Sequence, residues 1–181
     1  MTIAPDTKDW TWVLDGPCDE CGVDTRRIAA TDVSRLVRST VTVWQEVLAG
    51  DAVRERPAPG VWSPLEYACH VRDVYRRFDT RLALMLDRDD PRFENWDQDA
   101  TAVQARYGEQ DPAAVAVELA QAGDMVAAAF EAVDGDQWKR TGRRSDGARF
   151  TAETLARYFV HDVLHHVHDV RPGTVVDLVA R

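Results

Sequence analysis

Apolar residues recur at helical spacing in four stretches of this chain. Across residues 25–49, Ile28, Val33, Leu36, Val37, Val41, Trp44 and Leu48 return every three to five positions and mark one face, and Gly50-Asp51 closes the segment. A second helix is predicted from Ser63 to about Leu86, with Leu65, Cys69, Val74, Phe78, Leu82 and Met85 among its apolar positions. Its start is the sharpest local signal in the chain. In Ser63-Pro64-Leu65-Glu66, serine caps the first turn, proline takes the first helical position and glutamate reaches back to the serine amide. Asp111-Pro112 opens a third helix in the same way, carrying Val115, Leu119, Met125, Val126 and Phe130 and ending near Gly135. A fourth runs over residues 151–170 with Leu155, Phe159, Val163 and Val167, and Pro172-Gly173 ends it.

Between these helices the pattern weakens. In residues 1–24, Trp10, Trp12 and Leu14 alternate with polar residues, which predicts a short extended arm. Two indoles are costly to leave in water, so this arm is expected to pack on the domain or on a second subunit. Residues 87–110 form a long connection with a short helix expected near 97–106, and residues 136–150 read as a hairpin or a mobile loop. The last residues, 175–179, are expected as a short tail against the bundle. Four long amphipathic segments without a strand series predict an all-α fold, a four-helix bundle over residues 25–181 preceded by an irregular arm over 1–24.

Charge narrows the function classes. The 181 residues carry 22 basic and 31 acidic side chains, a net charge of -9. Binding to a phosphate backbone needs a dense basic surface, so nucleic acid is not an expected partner. No window reads as long and apolar enough to cross a bilayer, and Met1 is followed by neither a basic start nor an apolar run. The expected location is the cytoplasm, without a membrane partner. Three cysteines, an odd number, argue against a disulfide framework.

Candidate chemistry lies in the histidines. Four of the five fall in His161-Asp-Val-Leu-His165-His166-Val-His168. Residues four apart on a helix lie nearly above one another, so His161 and His165 can clamp one ion, whereas His166 is turned by about 100° and faces elsewhere. A third ligand must come from another element, and His70 is the only other histidine. Three imidazoles leave a coordination position open, as a catalytic centre requires. They suit Zn, Ni, Fe or Cu; Zn is expected, with Ni or Fe as alternatives. Asp73, one turn beyond His70, can orient that imidazole or pair with Arg76 or Arg77, and pairing is the commoner outcome. Cys18-x-x-Cys21 can bind zinc, cycle redox or remain two ordinary thiols. A structural zinc centre needs two further ligands, which Cys69 or the spare histidines can supply if the arm folds back. Cys69 and Trp44, Trp62, Trp96 and Trp138 are expected to pack, with Trp62 stapling the second helix.

The stretch Trp62-Ser63-Pro64-Leu65-Glu66-Tyr67-Ala68-Cys69-His70-Val71-Arg72-Asp73, followed about ninety residues later by His161-Asp-Val-Leu-His165-His166, resembles the DinB-like superfamily over residues 25–170. That group includes the DinB and YfiT-like metal proteins and mycothiol-dependent maleylpyruvate isomerase. The resemblance implies a four-helix bundle, a metal ion on His70, His161 and His165, and a dimer. It further implies a transferase in which the metal activates a low-molecular-weight thiol of the mycothiol or bacillithiol class against an electrophile. Arg143, Arg144 and Arg149 are candidates to steer such a cosubstrate. The competing expectation is a non-enzymatic stress-response protein whose ion holds the bundle together. An open coordination position favours the first, and a centre closed by His168 or a cysteine favours the second.

Overall fold

The computed structural model describes residues 8–180; the opening residues read for a targeting signal lie outside them. The four long helices are α1 (Val33–Leu48), α2 (Pro64–Asp87), α4 (Pro112–Glu131) and α5 (Ala152–Val170), with short helices α3 (Gln98–Gln104) and α6 (Thr174–Ala180). Both α4 and α5 pack on α1 and on α2, so α1 and α2 stand on one diagonal of a four-helix bundle. Phe159 on α5 is the hub of the core. Its ring stacks on Phe78 at 4.8 Å and on Phe130 at 5.4 Å, and meets the Tyr75 edge at 6.0 Å. The buried Tyr75 hydroxyl is satisfied by Thr40 Oγ1 at 2.7 Å, which removes the cost of hiding a phenol.

The predicted start of α2 is present in full. The Glu66 amide donates to Ser63 Oγ at 3.3 Å, and the Ser63 amide donates to Glu66 Oε2 at 2.8 Å. Trp62 meets Tyr67 edge-on at 5.4 Å, the staple that fixes how the chain enters the helix. Arg56 donates to the same glutamate. Burial alone would raise the Glu66 pKa, but Arg56 and the Ser63 amide overcome it and hold the carboxyl below its usual range. A lowered folded-state value contributes stability above the unfolded pKa and loses it as pH falls through the folded value. Glu66→Gln should therefore cost about 1 kcal/mol at neutral pH. It should also flatten the acid limb of stability, read by urea denaturation from neutral pH down through the carboxylate range. Equal slopes for both proteins would remove Glu66 from the account.

Elsewhere the structure departs from the pattern. Residues 25–32 form two 3-10 turns, Thr25–Arg27 and Ala30–Asp32, and α1 begins only at Val33. The buried Ile28 kept the apolar spacing running through those turns. The arm is not extended: Trp10–Leu14 is a 3-10 helix capped by Asp9, whose carboxylate accepts from the Thr11 amide. It packs on the bundle, and Val13, Cys18, Cys21 and Val23 are buried. Residues 136–150 do contain a hairpin, β2 (Thr141–Arg144) with β3 (Arg149–Thr151). Strand β1 (Arg92–Phe93), parallel to β2 and paired Arg92 to Arg143, was not anticipated. The hairpin feeds directly into α5, because Thr151 ends β3 and caps the helix through the Thr154 amide at 3.1 Å. By length and composition α4 does qualify as a bilayer-crossing helix, with mean hydropathy 1.4, contrary to expectation. Its Val115, Leu119, Val126 and Phe130 are instead covered by the bundle, whereas Met125, read as an apolar-face position, is 64% exposed.

Candidate metal centres

Helix α5 presents two ligand pairs on neighbouring stripes. His161 and His165 form one i, i+4 pair; Asp162 and His166 form the next, rotated by one residue's 100°. This offset decides which partners each pair meets. His161 and His165 converge with Cys18 and Cys21 from the arm, one donor atom from each lying within 4.8 Å of the others. Asp162 and His166 converge with His70 from α2 within the same limit. The three histidines singled out by spacing are therefore divided between two groups, because α2 faces the Asp162/His166 stripe and the folded-back arm takes the other. His168 belongs to neither group.

His70 is held rigidly. Its imidazole lies parallel to the Trp96 ring at 5.2 Å, with Trp62 at 5.2 Å and the His166 ring edge-on at 4.7 Å. The Arg77 guanidinium covers Trp96 at 4.7 Å. The ring is fully buried, and neither nitrogen has a hydrogen-bond partner among the described residues. Asp162 Oδ1 is 3.8 Å from His70 Nε2, too far for a hydrogen bond, and 3.3 Å from His166 Nε2. His166 Nδ1 meets Asp169 Oδ2 at 2.8 Å, so Asp169 fixes the ring and leaves Nε2 turned toward the group. Burial drives the His70 pKa down, which keeps the imidazole neutral and able to donate an electron pair. Burial also opposes charge on His166, but Asp162 and Asp169 lift it to about 9.

The second group joins the arm to α5. Cys18 Sγ lies 3.7 Å from His165 Nδ1, and Cys21 Sγ lies 3.7 Å from His161 Nε2. All four residues are buried, and both cysteines are free thiols. Burial pushes the Cys21 thiol up to about 12, and burial with the neighbouring His165 lowers His161 to about 4.

Asp73 does not reach His70. It pairs with Arg72 at 2.9 Å and Arg76 at 3.3 Å and accepts the Tyr107 hydroxyl at 2.6 Å, the commoner outcome noted from sequence. Cys69 is buried as expected, near the Tyr107 carbonyl. Trp96 was read as packing only, yet it forms one wall of His70. Asp162 was missed altogether, although Asp162-x-x-x-His166 repeats the spacing that singled out His161 and His165. Of the three arginines, Arg143 pairs with Asp90, Arg149 is exposed, and only Arg144 turns inward, bonded to Asp146 at 2.8 Å and to the Tyr158 hydroxyl at 3.3 Å.

A cavity of about 80 Å3 opens over α5, lined by Trp10, Gln98, Tyr158, His161, Asp162, His165 and His166. Trp10, Gln98 and Tyr158 also border an outer groove of about 750 Å3. Asp162 and His166 line the smaller cavity from one donor group and His161 and His165 from the other, which defines a helix-bundle protein with two sets of side chains suited to a divalent ion. The sequence model of the DinB superfamily matches residues 35–170, and the chain belongs to that family. The fold is similar to that of YfiT from Bacillus subtilis, described as a probable metal-dependent hydrolase with an unusual four-helix bundle topology. The two share 20% identity over 84% of this chain and 85% of that one, with a TM-score of 0.66. No curated protein matches the sequence.

Proposed function

We propose that this protein is a metal-dependent hydrolase whose divalent ion is held by His70, Asp162 and His166. The observation that carries the reading is the fully buried His70, with both ring nitrogens unpartnered, facing a carboxylate and a second imidazole. Leaving such a group unpaired costs about 1–3 kcal/mol, and a ligated ion removes that cost. Zinc fits the donor set, with nickel or iron as alternatives. When bound, the ion supplies Lewis acidity and makes a nucleophile available near neutral pH. Trp62 and Trp96 exclude water from the His70 side. Asp169 holds the His166 tautomer. Tyr158 accepts from Arg144 and keeps its own proton, which it can donate toward charge developing in the cavity.

A second reading, transfer to a small thiol, rests on the resemblance to mycothiol-dependent enzymes and on the outer groove. At about 750 Å3 that groove has room for a cosubstrate larger than water. Its border carries Asp9, Asp97, Asp99 and Asp146 against Lys8 and Arg144, which suits a neutral or cationic molecule better than a polyanion.

The test is turnover of activated esters and amides by the metal-loaded chain, with and without a small thiol. Hydrolysis that stops on chelation and returns with added ion is expected. Turnover only with thiol moves the assignment to transfer, and no turnover with the ion bound overturns an enzymatic role. Within that assay, Tyr158→Phe should lower kcat about tenfold to a hundredfold with a smaller change in KM. An unchanged kcat would reduce Tyr158 to a wall of the cavity.

A further inference from the structure

The Cys18/Cys21 pair has no place in that chemistry, yet it is brought from the far end of the chain onto α5. The turn that carries it is well specified. The Gly22 amide donates to the Cys18 carbonyl and the Cys18 amide to the Val23 carbonyl, both at 2.8 Å. Gly22 takes φ +76°, a conformation that favours glycine, and so brings the chain back immediately after the second cysteine. Both sulfurs then meet the His161/His165 stripe. We infer that Cys18, Cys21, His161 and His165 form a structural zinc site that fastens the N-terminal arm to α5.

The donor count and type are those of a closed tetrahedral zinc centre, two thiolates and two imidazoles. Around such an ion, bonds of about 2.3 Å to sulfur and 2.0–2.1 Å to nitrogen place adjacent S and N donors roughly 3.6 Å apart. The two Sγ···N separations here are both 3.7 Å. Two thiolates neutralise the dication, so the buried group carries no net charge. His165, facing Cys18 through Nδ1, turns Nε2 toward Glu20 at 3.6 Å and Asp169 at 3.8 Å, carboxylates that orient the ring. No coordination position is left for a substrate, so this ion is architectural. It also sets the neighbouring cavity, because Trp10, on the same arm, lies 5.1 Å from the His165 ring and 5.7 Å from His161.

Cobalt(II) reconstitution of the full chain tests this independently of the His70 centre. The expected spectrum contains sulfur-to-cobalt charge transfer and intense tetrahedral ligand-field bands. These persist in His70→Phe and Cys69→Ser and vanish in Cys18→Ser and Cys21→Ser. Zinc analysis should show one equivalent retained by His70→Phe and lost from either cysteine variant. If those variants fail to fold, a mercurial titration of the wild-type chain decides: thiol capture should release one equivalent of zinc. Cobalt bound without charge transfer, zinc unaffected by mercurial, or a Cys18–Cys21 disulfide in the purified metal-replete chain each overturns the site. Failure of the hydrolase reading would leave all of these results unchanged.

Discussion

Replacing His70 by phenylalanine is expected to abolish metal-dependent turnover while making the metal-free protein more stable. Phenylalanine keeps an aromatic ring between Trp62 and Trp96, where the imidazole now sits at 5.2 Å from each. It removes two ring nitrogens that have no hydrogen-bond partner among the described residues. Relief of that desolvation should stabilise the chelated protein by about 1–3 kcal/mol. At about 2–4 °C per kcal/mol for a domain of this size, the effect is visible in a thermal melt. With ion present the order reverses, since the wild-type chain gains the free energy of binding and the variant does not. Paired melts in chelator and in excess zinc, with metal analysis, give the answer. A variant that melts earlier in chelator and still turns over substrate would show His70 to be an ordinary core residue.

Gly123→Ala should destabilise the bundle by about 1–3 kcal/mol, although alanine is the better helix former. Gly123 lies in the middle of α4 where that helix meets both α1 and α2. A Cβ there would stand 2.4 Å from Val41 Cγ2 and 3.1 Å from Tyr75 Cε2. Valine in a helix has one strongly preferred rotamer, so its methyl cannot swing aside cheaply. Tyr75 is pinned by its bond to Thr40. The overlap must therefore open the α1–α4 seam, against a propensity gain of about 1 kcal/mol in the opposite direction. Urea denaturation measures the balance, and a more stable variant would mean that the seam yields without strain.

The helices were legible wherever local chemistry marks an end. Ser63, Pro64 and Glu66 act within one turn, and so do Asp111 and Pro112; such signals survive any tertiary arrangement. The start of α1 was not legible, because residues 25–32 bury Ile28 five positions ahead of Val33, in line with the apolar repeat, while turning tightly. Strand β1 owes its existence to pairing with residues some fifty positions away, which two residues cannot announce. The candidate centres divide in the same way. Spacing correctly put His161 beside His165 and turned His166 aside. Which partner meets which stripe depends on the rotation of α5 against α2 and on where the arm folds, and neither is a local property. An aspartate between histidines also looks like a solvated helix residue until His70 is found opposite it.

The placement of the indoles has an optical consequence. Trp62 and Trp96 flank His70, while Trp10 lies against His161 and His165. Open-shell ions such as Cu2+ or Ni2+ quench nearby tryptophan emission, so each group of ligands has its own indoles, Trp62 and Trp96 for one and Trp10 with Trp12 stacked on it at 6.0 Å for the other. Emission from a chain with phenylalanine at 10 and 12 would follow loading beside His70. Emission from a chain with phenylalanine at 62 and 96 would follow loading beside the cysteines. The order in which the two positions fill, and whether filling one alters the other, can thus be watched in the unlabelled protein.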